Sequence, residues 1–345
     1  MMKILHLLST NSFSGAENVV CQIISMYSNE KDVTMIYCSP DGKIREKLLE
    51  KKIEFLPLEK LNYASMKKAI LKYKPDVIHA HDIKASICAS LFSKNIEVIS
   101  HIHGNSLSMR KVSLKSILFL LISKKMKHIF WVSNSSLTEY RFYNKVYKKS
   151  SILVNVVDKK QIIEKSEEIN IDKNYDAIFV GRLVELKNPM RLLNVFSSVV
   201  NKIPTATLAI VGTGDMEEEM KKYISENKLD NNIFLLGFQS NPYIYMKKSK
   251  MMLLTSIYEG TPMCALEALC LGKPIISTPT DGMVDLIKQN MNGFLSDDDQ
   301  ELSDKICELI VNKEELSRMT TNADKESTKT NNLQKYKKEL DLYYK

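Results

Sequence analysis

The sequence predicts an α/β protein of two doubly wound, Rossmann-like domains, each built on a parallel sheet, and three observations carry that expectation. Short β-rich runs alternate with amphipathic helical stretches. The alternation restarts after a polar, charged segment near the middle of the chain. A length of 345 residues with 44% hydrophobic content is enough for two ordinary cores. In the first half the strand candidates are "KILHLLS", "VTMIYC", "IEFLPL", "DVIHAH", "EVISHIHG", "HIFWVS" and "SILVNV", with a first helix expected over 16–27. In the second they are "DAIFVG", "TLAIVG", "NIFLLG", "KMMLLTS" and "KPIIST", each followed by glycine or polar loop residues. The segment "DKKQIIEKSEEINIDKNY" reads as the joint, near residues 160–173. The expected domains are thus 1–165 and 166–330, followed by a C-terminal helix over 331–345 that packs back on the first domain. Ligands of open α/β sheets bind beyond the carboxyl ends of the strands, so the two sheets are expected to face each other across a cleft.

The totals exclude several classes. No run of about eighteen apolar residues occurs, and the start "MMKILHLLSTNS" lacks the long apolar region of a signal peptide, so a cytoplasmic protein is expected. Cys21, Cys38, Cys88, Cys264, Cys270 and Cys307 are scattered, with neither a C-x-x-C pair nor a histidine at metal-ligand spacing. They read as reduced core residues. The net charge of +8 is uneven: residues 1–165 hold 27 Lys+Arg against 14 Asp+Glu, and residues 166–345 hold 22 against 27. The first half is therefore expected to face an anionic surface.

The densest chemistry lies in "SIYEGTPMCALEALCLGKPII", where Glu259 and Glu267 interrupt an otherwise apolar run. Thr261 followed by Pro262 is a helix-start signal, and Gly272 with Pro274 beyond it a stop, which predicts a helix over 262–271. The free amides of such a start attract anions, and Gly260 lets a ligand approach the backbone. Glu259 falls in the loop and Glu267 about 7 Å up the helix, too far apart for a retaining-glycosidase pair, so the two are expected to hold separate groups. The alternative is an exposed loop acid and a helix acid paired with a nearby cation. In "FVGRLVELKNP" Arg182 and Lys187 stand between a strand end and a helix start capped by Asn188 and Pro189. Two cations there suit a diphosphate, or are ordinary surface charge.

Taken together, "GRLVELKN", "VGTGD", "LLGF" and "SIYEGTPMCALEALCLGKPIIST…G…NGFL" resemble, in order and separation, the donor-binding half of glycosyltransferase family 4, retaining nucleotide-sugar transferases of the GT-B fold. The resemblance implies that Arg182 and Lys187 bind the diphosphate, that Glu259 contacts the donor sugar and that Glu267 takes the ribose hydroxyls. It also places the backbone of Gly260, Thr261, Pro262 and Met263 along sugar and phosphate. "SGAE" keeps Gly15, one of the two glycines the family often has before its first helix, and "NVVD" stands where Asn-Gly-Val-Asp is usual. Of the histidines in "IHAHD" and "SHIHG", His103 matches the one that the family offers to the reacting sugar. His79 and His101 read as core residues.

Other signals are weaker. "VGTGD" has Glu217 where a dinucleotide fingerprint needs its third glycine, so it reads as a sheet-end turn. The acids of "SDDDQ" read as helix caps, and metal dependence is not indicated. From Val98 through Thr138 there is no acid, and "RKVSLKSILFLLISKKMK" sets an apolar run between Arg110, Lys111 and Lys115 on one side and Lys124, Lys125 and Lys127 on the other. That pattern suits a helix resting on an anionic membrane face, or a core helix with solvated ends. Aromatic residues are not interleaved with the basic run, which argues against nucleic acid. The expected partners are a nucleotide-sugar donor, UDP-linked and acting as substrate with no cofactor, and a lipid-linked or glycan acceptor of the capsule or exopolysaccharide kind. A GT-B-like epimerase and a non-catalytic sugar-nucleotide binder are the rival readings.

Overall fold

The computed structural model describes residues 1–104 and 106–344, with the side chain of Asp281 left aside. Two compact units divide it. One is Met1–Asn155 together with the C-terminal helix Leu333–Tyr344, and the other is Val156–Asn332.

The first unit carries a seven-stranded sheet: β1 (Met2–Leu7), β2 (Val33–Pro40), β3 (Phe55–Leu58), β4 (Val77–Ala80), β5 (Glu97–Ile102), β6 (His128–Trp131) and β7 (Ser150–Ile152), in the order β3-β2-β1-β4-β5-β6-β7. All its ladders are parallel. The inner strands are buried on both faces, as near-continuous apolar runs such as "VTMIYC" require, whereas the edge strands β3 and β7 are partly exposed. The strand order reverses between β1 and β4, so the loops leaving these two strands flank the crevice of this sheet. The helix Leu333–Tyr344 packs within this unit: the Tyr27 hydroxyl donates to Asp341 at 2.8 Å, Tyr343 stacks on His128 with ring centroids 3.7 Å apart, and the Tyr344 hydroxyl meets His79 Nδ1 at 2.6 Å. Lys345, the end of the expected 331–345 helix, lies outside the described residues.

The second unit carries β8 (Tyr175–Val180), β9 (Leu208–Val211), β10 (Ile233–Leu235), β11 (Ser249–Leu254), β12 (Ile275–Ser277) and β13 (Gly293–Leu295), in the order β10-β9-β8-β11-β12-β13 and again parallel. Its reversal falls between β8 and β11. The loops after those strands hold Arg182 and Lys187 on one side and Glu259 and Gly260 on the other.

Three expectations need correction. The boundary falls at Asn155/Val156 rather than at 165, because the polar segment is not a linker. Asp158 accepts from the Gln161 amide at 3.1 Å and starts a helix, Lys159–Glu167, which buries Ile162 and Ser166. Asn241 ties that helix down by donating to the Lys165 carbonyl at 2.8 Å. The Glu267 helix runs Met263–Cys270, with Pro262 rather than Thr261 at the N-cap position, since Pro262 keeps an extended ψ of 130°. The first helix is Gly15–Met26.

Candidate active site

In the second unit the loops after β8 and β9 are pressed together. A Cβ on Gly212, whose φ is +140°, would lie 1.8 Å from the Gly181 carbonyl oxygen, so glycine is required there. This close approach lets the Leu183 amide donate to the Thr213 carbonyl and the Met216 amide to the Leu183 carbonyl, each at 3.0 Å. "VGTGD" is thus a sheet-end turn that supports the Arg182–Lys187 loop. The loop after β11 is fastened to the same segment: Ile257 N donates to Leu186 O at 3.0 Å, and Thr255 Oγ1 to Asn188 O at 3.0 Å. Asn188 is left-handed, with φ of 49°, and makes no side-chain cap, contrary to the cap expected from its type; Pro189 is the first helical residue.

These ties bring Lys187 Nζ onto Glu259, and the two form an ion pair. Glu259 is buried and also accepts from Ser256 Oγ at 2.7 Å. Arg182 stands exposed on the same loop. Gly260 faces Gly282, where a Cβ would lie 1.9 Å from the Gly260 carbonyl oxygen. That second close contact packs the segment after β12 against the loop that leads into the Met263 helix. Pro262, at the N-cap position, offers this helix no side-chain cap, and the helix start carries the partial positive charge that favours an anion. Thr261, Pro262 and Met263 are all buried or nearly so around this start.

Glu267 is buried within the Met263 helix and accepts from the Tyr243 hydroxyl at 3.0 Å. Tyr243, which sequence reasoning missed, is held in its neutral form by burial and by the Glu267 carboxylate beside it. That bond is accepted by Oε1 of the Glu267 carboxylate. Cys264, between the two glutamates in sequence, has its thiol pushed up to about 12 by burial, with Lys187 opposing, and is not a nucleophile.

In the first unit Gly15 is the first residue of its helix. The loop before it is gathered by Glu17, a buried carboxylate that accepts from Ser14 Oγ at 2.5 Å and from Thr10 Oγ1. Glu17 is a second residue that its sequence context did not single out. His6, His79, His81, His101 and His103 form one cluster. β1 and β4 pair His6 with His79, and alternation sets His81 on the same face as His79 and His103 on the same face as His101. His79 and His101 are fully buried, as expected of core rings. Ligand atoms of His6, His79 and His81, and of His81, His101 and His103, lie within 4.8 Å of one another, but neither set contains a carboxylate. Four of these nitrogens are instead spent on ring-to-ring hydrogen bonds.

The basic apolar run splits into two helices, Leu107–Arg110 and Leu114–Ser123, the second started by a Ser113–Ser116 capping box. Phe119 and Ile122 enter the core, whereas Leu114, Ile117 and Leu121 form an exposed stripe, with Leu107 and Val112 exposed beside it. Two of the expected membrane-facing cations are neutralised: Arg110 pairs with Glu139 at 2.9 Å and Lys127 with Glu97 at 2.6 Å. Lys115 donates to Ser106 Oγ at 3.2 Å. Among the described residues, no helix is long and apolar enough to cross a membrane.

Two doubly wound sheets, each with polar residues gathered at its switch point, define an α/β protein of GT-B architecture. Residues 160–326 match the family described as Glycosyl transferases group 1, and residues 13–161 match Glycosyltransferase Family 4. The chain belongs to glycosyltransferase family 4. It is 31% identical over 234 residues to an uncharacterized glycosyltransferase of Methanocaldococcus jannaschii, a match covering 61% of this chain and 57% of that protein, so it spans little more than half of that relative. It is 25% identical over 325 residues to the UDP-Gal:alpha-D-GlcNAc-diphosphoundecaprenol alpha-1,3-galactosyltransferase of Escherichia coli, covering 85% of this chain and 84% of that one. Among solved structures the fold resembles that of Anabaena HepE in complex with UDP, with a TM-score of 0.85, 18% identity and 99% of both chains covered.

Proposed function

We propose that this chain transfers a sugar from a nucleoside diphosphate donor, UDP-linked, to a hydroxyl of a lipid-linked glycan in surface polysaccharide synthesis, with retention at the anomeric carbon. The observation that carries this reading is the Lys187–Glu259 ion pair at the β8/β11 switch point, beside the start of the Met263 helix and the Glu267 that accepts from Tyr243. In this reading Arg182, Lys187 and the Met263 helix start stabilise the charge that grows on the departing diphosphate. Fixed cations and dipoles there do the work that other transferases assign to a metal ion. Glu259, freed by Lys187 as the cation turns to phosphate, accepts from a sugar hydroxyl, Glu267 accepts from the ribose, and the first unit supplies His103 to the same sugar. The E. coli relative, whose name specifies a diphosphoundecaprenol acceptor, supports the lipid-linked choice.

The exposed stripe Leu107, Val112, Leu114, Ile117 and Leu121, with Lys111, Lys115, Lys124 and Lys125 around it, is read as the face that rests on an anionic leaflet beside such an acceptor. The test is direct: purified protein with a panel of UDP-sugars and undecaprenyl-diphosphate-linked saccharides, with and without EDTA, followed by mass spectrometry. Transfer that survives EDTA is the expected result. An interconverted donor without transfer would make the protein an epimerase, and tight UDP binding without turnover a sensor.

A further inference from the structure

All six histidines of the sequence lie in the first unit, and three of them are joined ring to ring. His6 Nδ1 meets His81 Nε2 at 2.9 Å, and His81 Nδ1 meets His103 Nε2 at 3.0 Å. At the inner end His6 Nε2 lies 3.3 Å from Met35 Sδ. Stacking holds the ring planes: His79 lies on His81 and His101 on His103, each with centroids 4.2 Å apart. Burial keeps the rings neutral, pushing His6 and His103 down to about 3 and His81 well below its ordinary value.

A neutral imidazole carries one N–H and one lone pair. A string of three such rings therefore has two self-consistent proton arrangements, one donating at every link toward Met35 and one donating at every link toward His103. The thioether sulfur is an acceptor with no proton to give. Donation toward Met35 closes every link; the reverse sets the His6 Nε2 lone pair against sulfur lone pairs between two buried side chains. We propose that Met35, His6 and His81 form a one-way hydrogen-bond chain that fixes His103 as its Nε2–H tautomer and leaves His103 Nδ1 a bare acceptor. His103 Nδ1 is buried and has no partner among the described residues.

The consequence rests on the reading of His103 as the residue offered to the donor sugar. Nδ1 is closed to solvent in this structure, so in that reading a sugar hydroxyl that gains access to it has to donate, and the site discriminates against a donor sugar that is deoxy at the position meeting His103. Met35, His6 and His81 are positioning residues in this scheme, since they act through His103.

The experiment reads ring nitrogens directly. Ligand-free protein labelled with 15N-histidine is observed by two-bond 1H–15N correlation, with His103→Gln and His6→Gln spectra assigning the signals. The expected spectrum shows His103 in one form, protonated at Nε2 and unprotonated at Nδ1. Met35→Leu keeps the volume and removes the acceptor, so both tautomers of His103 are expected, with donor KM raised about twofold as the competent form halves and kcat unchanged. A wild-type His103 protonated at Nδ1, or a Met35→Leu spectrum identical to wild type, overturns the proposal. If the spectra come out as expected while His103→Gln transfers sugar at the wild-type rate, the hydrogen-bond chain stands and the role of His103 toward the sugar falls.

Discussion

Glu267→Gln separates the proposed ribose role from a merely structural one. Glu267 is 6% exposed and accepts from the Tyr243 hydroxyl at 3.0 Å. Glutamine has the same length, and its carbonyl can keep that bond as a neutral one, so unfolding free energy is predicted to fall by no more than about 1–2 kcal/mol. What disappears is the second acceptor oxygen and the negative charge. A hydrogen bond to a charged group contributes about 1.5–3 kcal/mol and a neutral one about 0.5–1.5 kcal/mol, so UDP binding is predicted to weaken by about 1–2 kcal/mol, or roughly 5- to 30-fold. Isothermal titration of both proteins with UDP and with 2′,3′-dideoxy-UDP completes a cycle. Wild type should lose affinity for the dideoxy nucleotide, and the variant should lose little more. UDP affinity within about twofold of wild type, or losses that simply add, would refute the contact between Glu267 and the ribose.

Three further predictions follow from the same geometry. Lys187→Met strands the buried Glu259 carboxylate, which should cost about 2–4 kcal/mol in urea unfolding and be largely recovered in Lys187→Met with Glu259→Gln; absence of recovery would mean that the pair is not coupled. For His6, held down to about 3 in the folded chain against 6.5 for the free group, the unfolded state binds more protons below pH 6.5. Its contribution is therefore complete above that pH and is lost as pH falls toward 3; at pH 5.5 it has lost about 1.4 kcal/mol, and a urea midpoint that is flat between pH 7.5 and 5.5 would contradict the buried neutral rings. Lys115→Ala with Lys124→Ala should weaken flotation with anionic vesicles by about 2 kcal/mol, some 30-fold, and Leu114→Asp with Leu121→Asp should abolish it, UDP affinity being unchanged in both; wild-type flotation of either would remove the membrane face.

Much of the fold was legible because a strand buried on both faces announces itself as a short apolar run ended by glycine or a polar loop. The strand that escaped, β13, is three residues behind a polar turn, and it exists through its pairing with β12, Ile276 opposite Phe294. The misplaced boundary has the opposite cause. "DKKQIIEKSEEI" is polar enough to pass for a linker, and what makes it a helix of the second unit is a cap at Asp158, a buried Ile162 and a bond from the distant Asn241. Likewise, Tyr343 and Tyr344 were visible as aromatic residues at a chain end, but their seats on His128 and His79 are facts of packing across hundreds of residues.

The candidate site divides along the same line. Lys187, Glu259 and Gly260 stand in loops at strand ends and Glu267 in the helix that follows one, where a few adjacent letters (a glycine, a proline, a charge after an apolar run) state both the local conformation and the chemistry. The residues that hold them do not announce themselves so. Tyr243 reaches Glu267 across 24 positions, Met35 reaches His6 across 29, and His6 reaches His81 across 75. Alternation within "IHAH" and "HIH" could set two histidines of each strand on one face, but only the register of β1 against β4, which puts His6 opposite His79, brings a third ring into line and a sulfur behind it. In the proposed chain a proton's position on His103 is thus decided by a side chain on a different strand, through two rings bonded edge to edge. That is why the chemistry offered to a ligand could be read from a motif, while the tautomer in which it is offered required the sheet.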